Sequence, residues 1–177
     1  YIGSTNALGM SRDGTKVIVV SSQGEKMSSD SGATFSTVSF SWFCSSCNYY
    51  RDAAMSANGS VVAVAQQGNT IHVSRNGGLT SADWQSPHGG YASGNWKSYY
   101  TVAMSADGSI IVGGVNDAGE IALSTNTGNT WSHVNNADFG TSNKRIAVAK
   151  HNGNMVIIIA GQNGKVRDAS WAVSYGL

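Results

Sequence analysis

The sequence has little charge, one proline and no long apolar run. Charged residues make up 12% of its 177 residues, against about 25% in a typical soluble domain. Eleven basic and ten acidic side chains leave a formal net charge of +1, which is too weak to attract nucleic acid or an anionic membrane surface. The longest apolar stretch, Met155 to Ala160, has the length of a strand. We therefore expect no nucleic-acid partner and no membrane insertion.

What the sequence does contain is glycine and small polar side chains. There are 22 glycines, and the hydrophobic fraction is 41%, which suits a folded domain made of short strands and tight polar turns. The chain begins at Tyr1 without an initiator methionine, so we expect a processed mature protein or a piece of a longer one. The abundance of hydroxyl and amide groups favours an extracellular or cell-surface location.

A phrase ending in Asp-Gly or Asn-Gly occurs four times, about 45 to 49 residues apart. An apolar run follows each copy. Such a dipeptide between two apolar runs predicts a β-hairpin, with a type I′ turn that has positive φ at both central residues. The predicted turns are Asp13-Gly14, Asn58-Gly59, Asp107-Gly108 and Asn152-Gly153.

A second phrase, S-x-[DN]-x-G-x-T-[WF], lies in phase with the first. The Asp or Asn side chain is expected to accept backbone N–H groups in a turn, and the glycine to adopt positive φ. Two copies are complete, and a third is interrupted before its aromatic residue, Trp84. A fourth, degenerate copy is Asp168 to Trp171. The matching residues are Ser28, Asp30, Gly32, Thr34 and Phe35; Ser74, Asn76, Gly78 and Thr80; and Ser124, Asn126, Gly128, Thr130 and Trp131.

This second phrase resembles the Asp box of the bacterial-neuraminidase repeat. The resemblance implies a β-propeller, and four strands per unit of about 45 residues is the size of a propeller blade. We predict an all-β, single-domain fold of about four four-stranded antiparallel blades, spanning approximately 7–48, 52–98, 101–143 and 145–177. We also expect Phe35 and Trp131 to be largely buried between blades. Three forms of closure stay open: a small closed ring, two chains paired as an eight-bladed ring, and a segment of a longer array.

The chemistry that this resemblance implies would need an arginine cluster, a tyrosine with a glutamate partner and an acidic proton donor. The two glutamates, Glu25 and Glu120, are interpreted as equivalent surface positions at the start of the third strand of a blade. Arg12 and Arg75 lie in predicted turns on the opposite end of the molecule from such a site. We therefore predict no catalytic residue, no cofactor and no enzymatic activity.

The segments that join one blade to the next carry an excess of aromatic residues. Aromatic rings beside amide groups are typical of sugar recognition. The alternative is that these rings pack under their own loops or fill gaps between blades. The predicted contact residues are Trp42, Tyr49, Tyr50 and Arg51 before the second blade, and Tyr91, Trp96, Tyr99 and Tyr100 before the third.

These features predict a non-catalytic extracellular binding module whose preferred ligand is a glycan. The alternative is a structural protein whose protomers assemble into a surface layer, an appendage or a filament. A hydrolase fragment is a third interpretation. The partners are accordingly glycans or other protomers, as a homo-oligomer or polymer. No metal site is predicted, because the four histidines are scattered and lack metal-ligand spacing.

We predict that Cys44 and Cys47 form a local disulfide that closes a loop between the first two blades. Two free thiols or a redox pair are the alternatives. Alkylation without prior reduction should then leave the mass unchanged, whereas alkylation after reduction should add two groups. Two labelled thiols without reductant would reject the disulfide.

Overall fold

The computed structural model describes residues 5–21, 24–38, 49–86, 97–116, 119–139, 145–151, 154–161, 166–168 and 170. Within them the chain forms fifteen strands in four antiparallel sheets, and consecutive strands are neighbours. Helical structure in this part of the chain is limited to two single-turn 3-10 segments, Ser81–Asp83 and Ala137–Phe139. No helix found there is long and apolar enough to cross a membrane. The predicted all-β fold of about four blades is confirmed.

Blades 1 and 2 each contain four strands in simple up-and-down order. The strands of blade 1 are β1 (Thr5–Met10), β2 (Val17–Ser21), β3 (Gly24–Ser28) and β4 (Ser36–Val38), and those of blade 2 are β5 (Tyr50–Met55), β6 (Val62–Gln66), β7 (Ile71–Ser74) and β8 (Trp84–Gln85).

Blade 3 repeats this arrangement, and three strands of blade 4 are described. The strands of blade 3 are β9 (Tyr99–Met104), β10 (Ile111–Val115), β11 (Glu120–Ser124) and β12 (Ser132–Asn135), and those of blade 4 are β13 (Arg145–His151), β14 (Asn154–Ala160) and β15 (Val166–Asp168). The first strands contact one another in chain order, β1 with β5, β5 with β9 and β9 with β13.

The apolar core lies between blades. One cluster joins blades 1 and 2, a second joins blades 2 and 3, and a third joins blades 3 and 4. In the two middle blades, strands β6, β7, β10 and β11 are buried along their whole length, because both faces of each sheet are covered. Near-continuous apolar runs in these strands are the sequence signature of such two-sided burial.

The hairpin turns after β1, β5 and β9 are not the predicted type I′ turns. Gly14 has a φ of 73°, but in the described residues positive φ outside glycine occurs only at Ser31 and Thr127. The Ser11 amide donates to the Lys16 carbonyl at 3.0 Å. The Ser11 hydroxyl accepts the Lys16 amide at 2.9 Å. A buried serine therefore closes a longer turn that needs one left-handed residue.

In blades 2 and 3, the serine at the equivalent position of the repeat and the Asp or Asn side chain hold the corresponding turns. Ser56 Oγ accepts the Val61 amide at 2.9 Å, and Ser105 Oγ accepts the Ile110 amide at 3.0 Å. In blade 4, His151 pairs directly with Asn154, so only two residues link the strands. The Asn152-Gly153 turn itself lies outside the described residues. The pairing register relative to the dipeptide is the same as in blade 1, since Ala149 pairs with Val156 as Met10 pairs with Val17.

The S-x-[DN]-x-G-x-T segments form turns of the predicted kind. In blade 1, Asp30 Oδ1 accepts the Thr34 amide at 2.9 Å, and Ser28 Oγ accepts the Gly32 amide at 2.8 Å. Asn126 and Ser124 make the matching bonds in blade 3. The residue before the glycine of this turn also has positive φ, which is 60° at Ser31. In blade 2 this place is occupied by Gly77, whose φ is 95°.

The aromatic residues of these turns differ in burial. Phe35 and Trp131 are half-buried, which corrects the prediction that they are largely buried between blades. Each begins the outermost strand region, where a neighbouring blade covers only part of the ring. Trp84 is buried instead, because the 3-10 turn Ser81–Asp83 moves its ring inward against Gly78, whose carbonyl accepts the indole N–H at 3.0 Å.

We expect Trp84→Ala to lower the free energy of unfolding by about 3 to 5 kcal/mol, because it opens a cavity in the cluster between blades 1 and 2. Trp131→Ala is the matched control and should cost about 1 to 2 kcal/mol, since its ring is only half-buried. Urea unfolding of both variants measures the difference. Equal losses would mean that the two rings are buried alike.

Candidate functional site

A recess of about 220 Å³ lies where the innermost strands begin. Its lining residues are Asn6, Arg51, Tyr100 and Arg145. They come from β1, β5, β9 and β13, one from each blade. The recess is therefore shared by the inner strands of all four blades. We call this end of the molecule the recess end, and the opposite end, which bears the hairpin and S-x-[DN]-x-G-x-T turns, the turn end.

Arg51 is fixed in the recess by an amide and an aromatic ring. Its Nε donates to Gln67 Oε1 at 2.8 Å, and its Nη2 donates to the same oxygen. Its guanidinium carbon lies 4.9 Å from the centroid of the Tyr100 ring and 6.0 Å from that of Tyr49. These are cation–π distances. The two bonds to Gln67 use two of the five N–H donors of the guanidinium.

The neighbouring polar residues hold the inner strands together. Asn6 Nδ2 donates to the Tyr50 carbonyl at 2.7 Å, which joins blade 1 to blade 2. Asp52 Oδ2 accepts the Thr101 hydroxyl at 2.8 Å and the Val102 amide at 3.0 Å, which joins blade 2 to blade 3. Because these bonds cross from blade to blade, the residues at the mouth of the recess keep fixed relative positions.

Among the described residues, the lining of the recess carries two guanidinium cations and no carboxylate. Asn6 and Arg145 are exposed, and Arg51 and Tyr100 are half-buried. Solvent therefore reaches all four side chains. Two arginines that face one concavity concentrate positive potential there, so the recess suits an anionic or strongly hydrogen-bonding ligand.

Three of the predicted contact residues lie at this recess. Arg51 and Tyr100 line it, and Tyr49 lies beside Arg51 with 61% of its surface exposed. The predicted contacts Trp42, Tyr91 and Trp96 lie outside the described residues, as do both cysteines of the predicted disulfide, Cys44 and Cys47.

Two other predicted contacts, Tyr50 and Tyr99, are corrected. They are 4% and 1% exposed, so neither ring is accessible to a ligand. Tyr50 belongs to the cluster between blades 1 and 2, and Tyr99 to the cluster between blades 2 and 3. Each is followed by the extra residue of a β-bulge, Arg51 after Tyr50 and Tyr100 after Tyr99, and a bulge re-aims the side chain of its extra residue. The alternative that aromatics fill gaps between blades therefore holds for these two.

The structure brings together a tyrosine and a glutamate, but it buries both. Tyr50 forms a side-chain hydrogen bond with Glu25, which is only 2% exposed. Burial raises the pKa of Glu25 to about 7, although the bond from Tyr50 opposes the rise. Burial also raises the pKa of Tyr50, and the charge of Glu25 adds to that effect. Glu25 Oε1 has no hydrogen-bond partner among the described residues. The pair is enclosed between blades, away from the recess.

Glu120 has a different environment, which corrects the prediction that the two glutamates are equivalent surface positions. Both are buried. Burial by itself raises the pKa of Glu120, but hydrogen bonds from Lys97 and His133, together with their charges, outweigh it and lower the pKa. Lys97 Nζ lies 2.5 Å from Glu120 Oε1. Glu120, which pairs with Asn135, lies on the face of blade 3 that packs against the preceding blade 2. Glu25 lies on the face of blade 1 that packs against the following blade 2.

Sequence analysis did not single out two of the recess residues, Asn6 and Arg145. Asn6 lies in the first strand, so a search of the segments between blades does not reach it. Arg145 begins the first strand of blade 4, the same place in the repeat that Arg51 and Tyr100 occupy in blades 2 and 3. Position within the repeat is therefore the signal that identifies it. In the described part of the chain no group of His, Cys, Asp and Glu side chains has the arrangement of a metal site.

No protein-family model and no curated protein matches this chain. Solved structures do match. An enzyme of Niastella koreensis described as GH74 is similar over 94% of this chain, with 18% sequence identity and a TM-score of 0.66. An ancestral GH74 enzyme is similar over 95%, with 16% identity and a TM-score of 0.66. The chain spans 23% of the length of each of these enzymes.

A computationally designed protein, Ika4, is similar over 95% of this chain and 91% of its own, with 14% identity and a TM-score of 0.62. Identities this low establish a shared architecture and nothing about shared chemistry. The fold is that of a β-propeller. The side chains of the recess have to be interpreted by themselves.

Glu25 should make stability depend on pH. Its pKa is 4.5 in an unfolded chain and about 7 in the folded state, so between these values the folded state holds a proton that the unfolded state has released. Glu25 should therefore contribute a fall of about 3 kcal/mol in the free energy of unfolding as the pH rises from 4.5 to 7. Buried His72, whose pKa burial lowers to about 4, contributes a rise over the same range, so the fall is measured as the change with pH in the difference between the unmodified chain and Glu25→Gln in denaturant titrations.

The matched variant is Glu120→Gln, which removes a carboxylate whose pKa is lowered. It should destabilise the protein at pH 7, where Glu120 is charged and paired with Lys97. If the difference in free energy of unfolding between the unmodified chain and Glu25→Gln stayed constant between pH 4.5 and 7, the burial of an uncharged Glu25 would be contradicted.

Proposed function

We propose that this chain is a non-catalytic extracellular binding module that binds a glycan at the recess end. The observation that carries the proposal is the cation–π contact of Arg51 with Tyr100 in a solvent-accessible recess that also contains Arg145. Concave sites with a few convergent polar groups beside aromatic rings are the usual places for small-molecule recognition.

The chemistry of the recess suits a sugar. Guanidinium and amide groups bind hydroxyl and carboxylate oxygens, and Arg51 and Asn6 supply both kinds of donor. The exposed ring of Tyr49 beside the recess offers an apolar surface on which the C–H face of a sugar can stack. The segments 39–48 and 87–96, which carry Trp42, Tyr91 and Trp96, lead in sequence into the strands that line the recess.

Two arginines in one recess favour a saccharide with a carboxylate group. Arginine binds carboxylates through two parallel N–H···O bonds, and such charge-assisted bonds are stronger than neutral ones. The described part of the recess lining contains no carboxylate that would compete for Arg51 or Arg145. An acidic sugar unit is therefore the preferred ligand.

The proposal is for binding without catalysis. Hydrolysis of a glycosidic bond generally requires two carboxyl groups on either side of the bond. The two glutamates of the chain are buried between blades, and Asp52 is engaged by groups of the next blade. The likeness to GH74 enzymes concerns the fold and supplies no carboxylate pair in the recess.

The double variant Arg51→Gln and Arg145→Gln should weaken binding to an acidic oligosaccharide by about 10- to 100-fold, since one or two charge-assisted hydrogen bonds are lost. The measurement is calorimetric titration with the best acidic ligand from a glycan array on the intact chain. The affinity of the unmodified chain should also fall as the salt concentration rises.

Arg12→Gln is the matched control, because it removes the same charge from an exposed position in the turn that follows β1, at the turn end. It should leave the affinity unchanged. The melting temperatures of all variants should agree within a few degrees. Full binding by the Arg51 and Arg145 variant, or a loss caused by Arg12→Gln, would place the site elsewhere.

A further inference from the structure

The three interfaces between blades follow one plan. Each blade has a forward face, which packs against the following blade, and a backward face, which packs against the preceding one. At the first interface the forward face of blade 1 contributes Ile18, Val20 and Met27, and the backward face of blade 2 contributes Val62 and Val64. The pattern recurs between blades 2 and 3. At the third interface blade 4 turns Ile157 and Ile159 to blade 3, which are the repeat positions that Ile18 and Val20 occupy on the forward face of blade 1. Each of the three interfaces therefore joins two apolar sheet faces.

Blade 1 has a backward face with no partner among the described residues. Leu8 pairs with Val19 and Met10 with Val17, just as Ala53 pairs with Val64 and Met55 with Val62 in blade 2. The blade 2 set packs against blade 1. The equivalent Leu8 and Met10 are 63% and 56% exposed. Apolar side chains at interface positions are thus open to solvent at one end of the array.

At the other end of the series of blades, the forward face of blade 4 has no partner among the described residues. Ile157 and Ile159 are buried against blade 3, so strand alternation places Val156 and Ile158 on the forward side. Ala147 and Ala149 are exposed in the neighbouring strand, and Val166 is exposed in the third. This face is mainly apolar, and the exposed Asp168, which pairs with Ile158, is its charged member.

In the part of the chain that the structure describes, the two end faces do not cover each other. Contacts between inner strands run from β1 through β5 and β9 to β13, and all three apolar clusters lie between consecutive blades. No hydrogen bond among the described residues joins blade 1 to blade 4. The four blades therefore form an arc with one apolar face at each end.

We propose that the forward face of blade 4 docks on the backward face of blade 1 of a second copy, so that two copies close one eight-bladed ring. The inner strands contact one another in blade order, and each contributes one residue to the recess, which is the arrangement of units repeated by rotation. Repetition of that step across the end faces of two copies closes a ring of eight blades. Eight blades lie within the usual four to eight of closed propellers.

Sedimentation equilibrium of the intact chain tests this pairing. The expected species has twice the 18.4 kDa mass of one chain. The double variant Leu8→Asp and Met10→Asp should be a folded monomer, because both side chains are exposed within one chain and their replacement disturbs only the docked face. The double variant Ala147→Asp and Ala149→Asp should also be a folded monomer, because it disturbs the forward face. It tests the pairing if the first variant fails to fold.

Leu79→Asp is the matched control. Leu79 is another large exposed apolar residue, 43% exposed in the S-x-[DN]-x-G-x-T turn of blade 2, and it lies on neither end face. This variant should stay dimeric. An equal mixture of the backward-face and forward-face variants should form a mixed dimer, since each retains the face that the other has lost.

Three results would overturn the proposal. A chain that stays monomeric at the highest soluble concentration has no docking partner of its own kind. An unbroken series of larger species indicates an open polymer and not a closed ring. A monomer produced equally by Leu79→Asp shows that association does not use the end faces.

Discussion

Burial of an apolar sheet face against the next blade is the interaction on which this structure depends. A sheet of four short strands has two such faces and cannot cover either by itself. The middle blades show the outcome, since Val62 and Val64 are buried on the side of blade 1 while Ala63 and Ala65 are buried on the side of blade 3. Stability therefore comes from the array and belongs to no single repeat.

The same packing positions the recess. Because inner strands lie side by side around one axis, residues at their first positions converge although they are distant in sequence. Hydrogen bonds that cross between blades, such as Asn6 to the Tyr50 carbonyl and Thr101 to Asp52, hold the strand starts in place. The turn end has little freedom to vary, because its serine and aspartate side chains bind the backbone of their own turns. Binding groups are therefore presented by the recess end, on a rigid scaffold.

Several details of the structure could not be predicted from the sequence, for identifiable physical reasons. The Asp-Gly dipeptide signalled a hairpin correctly, but its turn type depends on whether a buried serine such as Ser11 binds the turn amides. Aromatic residues were treated as one class, yet Tyr50 lies in the core while a β-bulge at Arg51 turns the next side chain to the recess. Glu25 and Glu120 looked equivalent by their place in the chain, whereas the side of the sheet each occupies depends on pairing register.

The sequence by itself determined the repeat, the all-β class, the order of strands within a blade and the side-chain bonds of the S-x-[DN]-x-G-x-T turns, because these depend on residues a few positions apart. Only the tertiary structure decided which face each strand turns to its neighbours, that Arg51 and Arg145 meet in one recess, and that Leu8 and Met10 are left uncovered. These outcomes depend on the rotation from one blade to the next, which arises from packing between units about 45 residues apart and has no local sequence signature.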